Sequence, residues 1–315
     1  MERDIDVKYT LSEEELVSLS QRLLAEQSPS VNERFVGYMI EGTDAASNLA
    51  RHVERVVFEE RFELDDAKMT RLYRPYEASS TFFLVMDTQE SRPAGVARVG
   101  RNGPAGLLTL NDAATMVGFS LDTFRNHYKV DSMDAVWDLG TTAVLQEYRA
   151  VGNHIVSQIC YRCFWARAMH EGVKHYVTIL DGDIRRTFAL LGLPFEPFPG
   201  TGEVAHEGST DSMFMYAPPP AFPAGAEASL ARVKDKLKPF VASFKNRVFG
   251  PEIDHHLLFD VTKCPGTTQR SPPVTTKVVA APSTSSDTAE AEAVSDSGYG
   301  LLHWFRVLKR QLSLF

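Results

Sequence analysis

The apolar positions of the chain fall into blocks of different period, and the period decides which element each block can form. Leu16, Leu19, Leu23 and Leu24 recur at helical spacing behind Ser12 and Glu15, which have the form of a capping box, so a first helix is expected through the teens and early twenties. A short strand over 35–40 follows, and then a helix capped by Thr43 or Asp44 that runs through His52 and Val56 and ends near Glu60. The next stretch, RFELDDAKM, reads as an irregular loop. Two β-rich runs, 81–86 and 95–99, are separated by the polar DTQESRPA and predict a β-hairpin. Residues 111–127 include helix and are placed to shape a substrate pocket.

The pattern is clearest from 135 onward. Residues 135–145 read as a buried strand and 146–152 as a turn, followed by a helix over 153–171 with Ile155, Ile159 and Cys163 on an apolar stripe and Gly172 at its end. A strand at 175–180 leads to a short helix at 183–191 closed by Gly192, and 195 onward with 213–216 supplies the last strands. The expectation is a mixed α/β (α+β) fold with a central, mostly antiparallel sheet flanked by helices and no internal repeat. Beyond Pro218–Pro220, residues 230–248 read as one amphipathic helix, and 263–298 are too rich in Ser, Thr, Pro and Ala to bury much apolar surface. Leu301, Trp304, Phe305, Leu308 and Leu312 then share one helical face with Arg306, Lys309 and Arg310 nearby. The division expected is 1–220 as the main domain, 221–262 as a helical extension, 263–298 as a disordered linker and 299–315 as an amphipathic terminal helix, suited to an apolar groove on protein or to peripheral contact with an anionic membrane.

Composition narrows the function classes. With 43% hydrophobic residues in 315, the chain has the apolar material for a sizeable core. A net charge of -8 argues against a surface built to neutralise phosphates, so nucleic acid is not an expected partner. The charged opening MERDIDVKYTLSEEE lacks the apolar core of a signal peptide, and no run reaches bilayer-spanning length, so a cytoplasmic protein is expected. Cys160 and Cys163 have zinc-like spacing without a second pair, and core packing is the expectation. His255 and His256 are expected to point apart in a loop without a surrounding metal motif, so no metal site is assigned.

A strand feeding a tight turn that opens a helix aims backbone N–H groups at one point, where a phosphate can sit. Arg149-Ala150-Val151-Gly152-Asn153-His154 has that arrangement, with a glycine where backbone must approach a ligand; it also reads as a plain helix start. Over 135–195 the order and spacing of these parts resemble the GNAT (N-acetyltransferase-like) acyltransferases, whose Gln/Arg-x-x-Gly-x-Gly/Ala turn is matched by Arg149 and Gly152 but not by His154. That resemblance implies an acyl-CoA site formed by Val144, Arg149, Val151, Gly152, Asn153 and His154, with acyl-CoA or an acyl-carrier protein as co-substrate and no permanently bound cofactor. Upstream, the helix Arg51-His52-Val53-Glu54-Arg55-Val56-Val57-Phe58-Glu59-Glu60-Arg61, the strand Gly95-Val96-Ala97-Arg98-Val99 and the pair Trp137-Asp138 resemble the acyl-homoserine-lactone synthases (autoinducer synthases) and N-acyl amino acid synthases. An arginine that those synthases carry three residues after their Trp-Glu pair is Thr141 here, which argues for another small amine acceptor than a homoserine-lactone precursor.

Transfer from a thioester needs a deprotonated amine, a polarised carbonyl and a settled thiolate. Asp138 is the candidate base, or else a strand-end hydrogen-bond acceptor. Arg98 is the candidate to bind an acceptor carboxylate, or else to pair with an acidic side chain; Arg51 and Arg55 carry the same alternatives beside solvation at the surface, and Trp137 and Thr141 complete the expected acceptor site. The position where many GNAT enzymes place an acidic tyrosine is Phe188. The expected function is N-acyl transfer to an amine, possibly an amino acid; the alternative is a GNAT-shaped acyl-CoA-binding or regulatory module without catalysis.

Overall fold

The computed structural model describes residues 6–26 and 33–259, with Asn153 as backbone only; the expected linker and terminal helix lie outside the described residues. The chain runs α1 (Glu13–Glu26), β1 (Phe35–Glu41), α2 (Ser47–Phe62), α3 (Asp66–Tyr73), β2 (Ser80–Asp87), β3 (Arg92–Arg101), α4 (Leu108–Val117), α5 (Leu121–Tyr128), β4 (Val136–Val144) and α6 (Ile155–His170). It continues with β5 (His175–Leu180), α7 (Gly182–Leu191), β6 (Glu196–Pro197), β7 (Val204–His206), β8 (Ser209–Ala217), α8 (Phe222–Arg232) and α9 (Lys238–Phe249). The eight strands form one mixed sheet in the order β1-β2-β3-β4-β5-β8-β6, with β7 on β8. Every pairing is antiparallel except that of β4 with β5, so the fold is the mixed, mostly antiparallel architecture expected.

Strand alternation sorts the core into layers. Phe83, Val85, Ala97, Val99 and Val144 face α6, α8 and α9, while Phe82, Leu84, Met86, Val96 and Ala143 face α1 and α2. On that second face, α4 and α5 cover the other half of the sheet through Val136, Val177 and Phe214. The capping box at α1 forms reciprocally, with Glu15 N–H donating to Ser12 Oγ at 3.2 Å and Ser12 N–H to Glu15 Oε2 at 2.9 Å.

Four elements differ from expectation. RFELDDAKM is not a loop throughout, because Asp65 accepts the Lys68 N–H and starts α3. Helix α2 starts at Ser47, and Asp44 instead closes the preceding turn through Ala46 N–H at 2.9 Å. The single helix over 230–248 is two: Val233 turns extended and Pro239, which cannot donate to the preceding turn, sits in the first turn of α9. Helix α6 has no polar face, and only Trp165, Met169 and His170 escape full burial, since the sheet lies on one side and α9 on the other.

Among the described residues no helix is long and apolar enough to cross a membrane. The α7–α8 junction depends on two glycines. Gly192 ends α7 at φ +76°, and a Cβ on Gly225 would lie 2.1 Å from the Gly192 carbonyl oxygen. Gly225→Ala is therefore expected to lower stability by about 1–3 kcal/mol, as overpacking does, measured by urea unfolding.

Candidate active site

The decisive local feature is an irregularity in β4. Its register with β3 pairs Gly100 with Asp138 and Val99 with Leu139, then Arg98 with Thr141, leaving Gly140 as the extra residue of a β-bulge. In a regular strand Asp138 and Thr141 would face opposite sides, but the bulge restores them to the same side, toward α2 and α4. Immediately beyond, β4 and β5 part. Their parallel ladder has three pairs, ending at Asp138–Val177, and Thr178 Oγ1 bridges the fork by donating to the Leu139 carbonyl at 2.8 Å.

A cavity of about 170 Å³ occupies the fork and passes from one face of the sheet to the other. Val57, Tyr73, Arg98 and Asp138 line it on the α2 side, and Tyr161 and Phe188 line it on the α6 side. Its rim carries Arg61, Asp181 and His206.

Asp138 is 3% exposed, and its two oxygens accept from the Thr109 N–H and hydroxyl, each at 2.7 Å. The first bond occupies an N–H in the first turn of α4, which has no side-chain N-cap of its own, so the carboxylate caps that helix from the neighbouring strand. Burial pushes its pKa up to about 6 against the opposing effect of both Thr109 bonds, with a smaller upward push from Asp112. Trp137 does not contribute: as the adjacent strand residue it faces the other way, stacked at 6.5 Å on Tyr176 and under Arg101 at 4.9 Å.

Arg98 is enclosed in a network of charges. Its Nε and Nη2 donate to Glu54 at 3.0 and 2.7 Å, Nη2 also donates to Tyr9 Oη at 2.9 Å, and Thr141 Oγ1 donates to the same Glu54 carboxylate. Tyr9 in turn donates to Glu77 at 2.5 Å, and Glu77 takes Nε and Nη2 of Arg51 at 2.8 and 2.7 Å. Burial opposes the charge on Arg98, but Glu54, Tyr9 and Glu77 outweigh it and hold the guanidinium well above its ordinary pKa. Its Nη1 makes no hydrogen bond, and the nearest carboxylate oxygen is Glu77 Oε1 at 3.5 Å. Of the arginines of α2, Arg61 lines the cavity but Arg51 and Arg55 do not: Arg51 is fully engaged with Glu77, Ser47, Asn48 and the Gly42 carbonyl, and Arg55 pairs with Glu59.

The expected phosphate turn is folded in on itself. Gly152 and His154 have φ of +55° and +64°, and the His154 N–H returns to the Val151 carbonyl. Arg149 donates to the Val144 carbonyl at 3.0 Å and to Glu60 at 2.8 Å, while its own carbonyl lies 2.6 Å from His154 Nδ1. Arg247 of α9 reaches the same turn, donating to the Gly152 carbonyl at 3.3 Å and to Gln158 at 3.0 Å. A smaller cavity of about 20 Å³ beside His154 shares Tyr161 with the main one.

Several site residues were not foreseen. Glu54 and Glu77 partner the arginines, Thr109 holds Asp138, and Tyr161 stands against Phe188 at 6.1 Å, where a proton donor had been missing. His206 on β7 contacts Asp112 of α4 at 3.2 Å, a pairing 94 residues apart that no local pattern signals. His255 and His256 also depart from expectation, for their rings lie 4.4 Å apart and both approach Glu33.

No protein-family model matches the chain, and no curated protein does. Among solved structures it is similar to FeeM, an N-acyl amino acid synthase from uncultured soil microbes, at 16% identity and a TM-score of 0.46 over 62% of this chain and 96% of that one. It is also similar to BjaI, a CoA-dependent acyl-homoserine lactone synthase, at 13% identity and a TM-score of 0.39 over 70% and 92% of the two chains. The acyl-homoserine lactone synthase LasI aligns at 15% identity and a TM-score of 0.40 over 59% and 90%.

Two measurements check the site's electrostatics. Replacing Arg98 by Met strands Glu54 in the core and is expected to cost about 3–5 kcal/mol on chemical unfolding, part of which the double change Arg98→Met with Glu54→Leu recovers. Because Asp138 binds its proton more tightly when folded, its contribution to stability falls as pH rises from about 4 to about 6. Unfolding midpoints across that window are expected to show this fall in the native protein and to lose it in Asp138→Asn.

Proposed function

We propose that the protein is an N-acyltransferase that moves an acyl group from an acyl-CoA or acyl-carrier-protein thioester to a small amine, with amino acids as candidate acceptors. The observation that supports this reading best is the cavity through the β4–β5 fork. Diverging strands present backbone groups to an extended, amide-bearing chain such as the arm of the thioester donor, which can pair with them as an added strand would. A cavity lined from both faces of the sheet gives donor and acceptor walls of their own that converge at Asp138 and Thr178.

In this scheme Asp138 takes a proton from the acceptor ammonium and releases it to solvent. The free amine attacks the thioester carbonyl, a C–N bond forms, and as the C–S bond breaks the second proton lost by the nitrogen passes to the departing thiolate, giving amide and thiol. A carboxyl group titrating near 6 is ionised at neutral pH yet basic enough to hold that proton briefly. Tyr161, whose phenol burial pushes well up, stays protonated and offers a hydrogen bond to the departing thiolate. The charge of Arg98, which lines the cavity, favours an acceptor that carries a carboxylate. Arg247 brings a cation to the turn where the donor's phosphates are placed.

A second reading, an acyl-CoA-binding module without turnover, is favoured by Phe188, which lines the cavity where an ionisable hydroxyl would otherwise protonate the thiolate. Incubating the purified chain with a panel of acyl-CoAs and amino compounds and detecting products by mass spectrometry separates the two. Product formation is expected, with a rate that climbs with pH and levels off above about 6. Asp138→Asn is expected to lower the rate by roughly 10²–10⁴ and to abolish that limb; His206→Ala is expected to keep it. A CoA-dependent thermal shift without product would establish the module instead, and neither product nor shift would sink both readings.

A further inference from the structure

The beginning of β1 and the turn after α9 meet at three ligating side chains that acyl transfer does not use. His255 Nε2 lies 3.6 Å from Glu33 Oε1, and His256 Nε2 lies 3.8 Å from Glu33 Oε2. One nitrogen of each ring and one Glu33 oxygen all fall within 4.8 Å of one another. We infer that Glu33, His255 and His256 form a binding site for a divalent transition-metal ion of the zinc class, which fastens the 250–259 segment to the first strand.

Three features argue for a metal rather than a solvated ion pair. The first is the tautomer: His256 Nδ1 lies 2.6 Å from the Phe35 carbonyl, which can only accept, so that nitrogen carries the hydrogen and the Nε2 lone pair faces Glu33. A ligating histidine is commonly oriented in this way by a backbone oxygen on its other nitrogen. The second is spacing. Tetrahedral zinc with ligand bonds near 2.0–2.2 Å places neighbouring donor atoms about 3.4 Å apart, and one donor atom from each of the three residues already lies within 4.8 Å of the other two, a gap that small side-chain rotations close. Two imidazoles and one carboxylate suit zinc or nickel better than the oxygen-seeking magnesium or calcium, and leave one position for water.

The third feature is the rigid seat. Asp254, next to His255, is held by Arg162 of α6 at 2.7 and 3.0 Å, and the Leu258 N–H donates to the Gly37 carbonyl at 2.9 Å. Nearby cations are already paired, Arg34 with Asp87 and Arg247 with Glu252, so the Glu33 carboxylate is left to a metal. The ligands therefore come from two segments, before β1 and after α9, whose backbones are fixed independently of the ion.

The test uses the full chain stripped with a chelator, then dialysed against zinc, with bound metal counted by mass spectrometry and the melting temperature followed in parallel. One zinc per chain and a raised Tm are expected, undiminished by excess magnesium. His255→Ala alters a half-exposed ring and is expected to bind at least about tenfold more weakly, as is Glu33→Gln, while the metal-free Tm of each stays near that of the native chain. Cys264→Ser is expected to bind as the native chain does. No stoichiometric uptake, equal uptake by His255→Ala and the native chain, or loss of uptake in Cys264→Ser would each overturn the assignment.

Discussion

The buried charges of Arg51, Glu77, Arg98 and Glu54 constrain the site more than any apolar contact does. Removing four ions from water costs several kcal/mol apiece, and their mutual attraction returns this only where nearly every donor and acceptor is matched. Matching is what joins distant parts of the chain: Tyr9 from the segment before α1, Glu54 and Arg51 from α2, Glu77 from the turn before β2, Arg98 from β3 and Thr141 from β4. Aromatic rings close the set, with the Arg98 guanidinium 4.0 Å from the Tyr73 ring centre and 4.6 Å from that of Phe82. The wall of the cavity is thus held in one arrangement by the requirement that no charge be left alone.

The bulge at Gly140 acts on the same wall from the other direction. Without it either the Thr141 hydroxyl would face α6 and Glu54 would lose a donor, or Asp138 would be separated from the network by the thickness of the sheet. A single unpaired residue therefore sets which groups share the cavity, and the parting of β4 from β5 just beyond Asp138 makes the cavity continuous across the sheet.

How much of this the sequence discloses depends on the range of the interaction. Strand β5 falls at 175–180 as its apolar run indicates, and α7 ends at Gly192 as expected, because both signals lie within a few residues of the element they mark. Arg98 and Asp138 stand out for the same reason, as a charge in an apolar strand and a carboxylate at the edge of one. Their partners do not: Glu54 lies 44 residues from Arg98, and Thr109 lies 29 from Asp138. Trp137 was grouped with Asp138 by adjacency, though neighbours on a strand face opposite sides, and the bulge that breaks this parity is visible in the sequence only as one more glycine. Helix α6 misleads differently, since α9 covers the side that would otherwise have been polar.

The coverage of α6 by α9 bears on the turn at 149–154 and on the phosphate proposed to meet it. Arg247 and Arg149 approach that turn from α9 and from the end of β4, and both spend hydrogen bonds on backbone carbonyls, of Gly152 and Val144, that an anion cannot replace but can compete with. A phosphate drawing Arg247 away would give up a long 3.3 Å contact with the Gly152 carbonyl and the 3.0 Å bond to Gln158, while the guanidinium stays paired with Glu252. Drawing Arg149 away would cost more, for it is 8% exposed and leaves a buried carbonyl without its donor. On the proposed reading Arg247 is therefore the cation more readily drawn toward a donor phosphate, and Arg149 the one that keeps the turn in place.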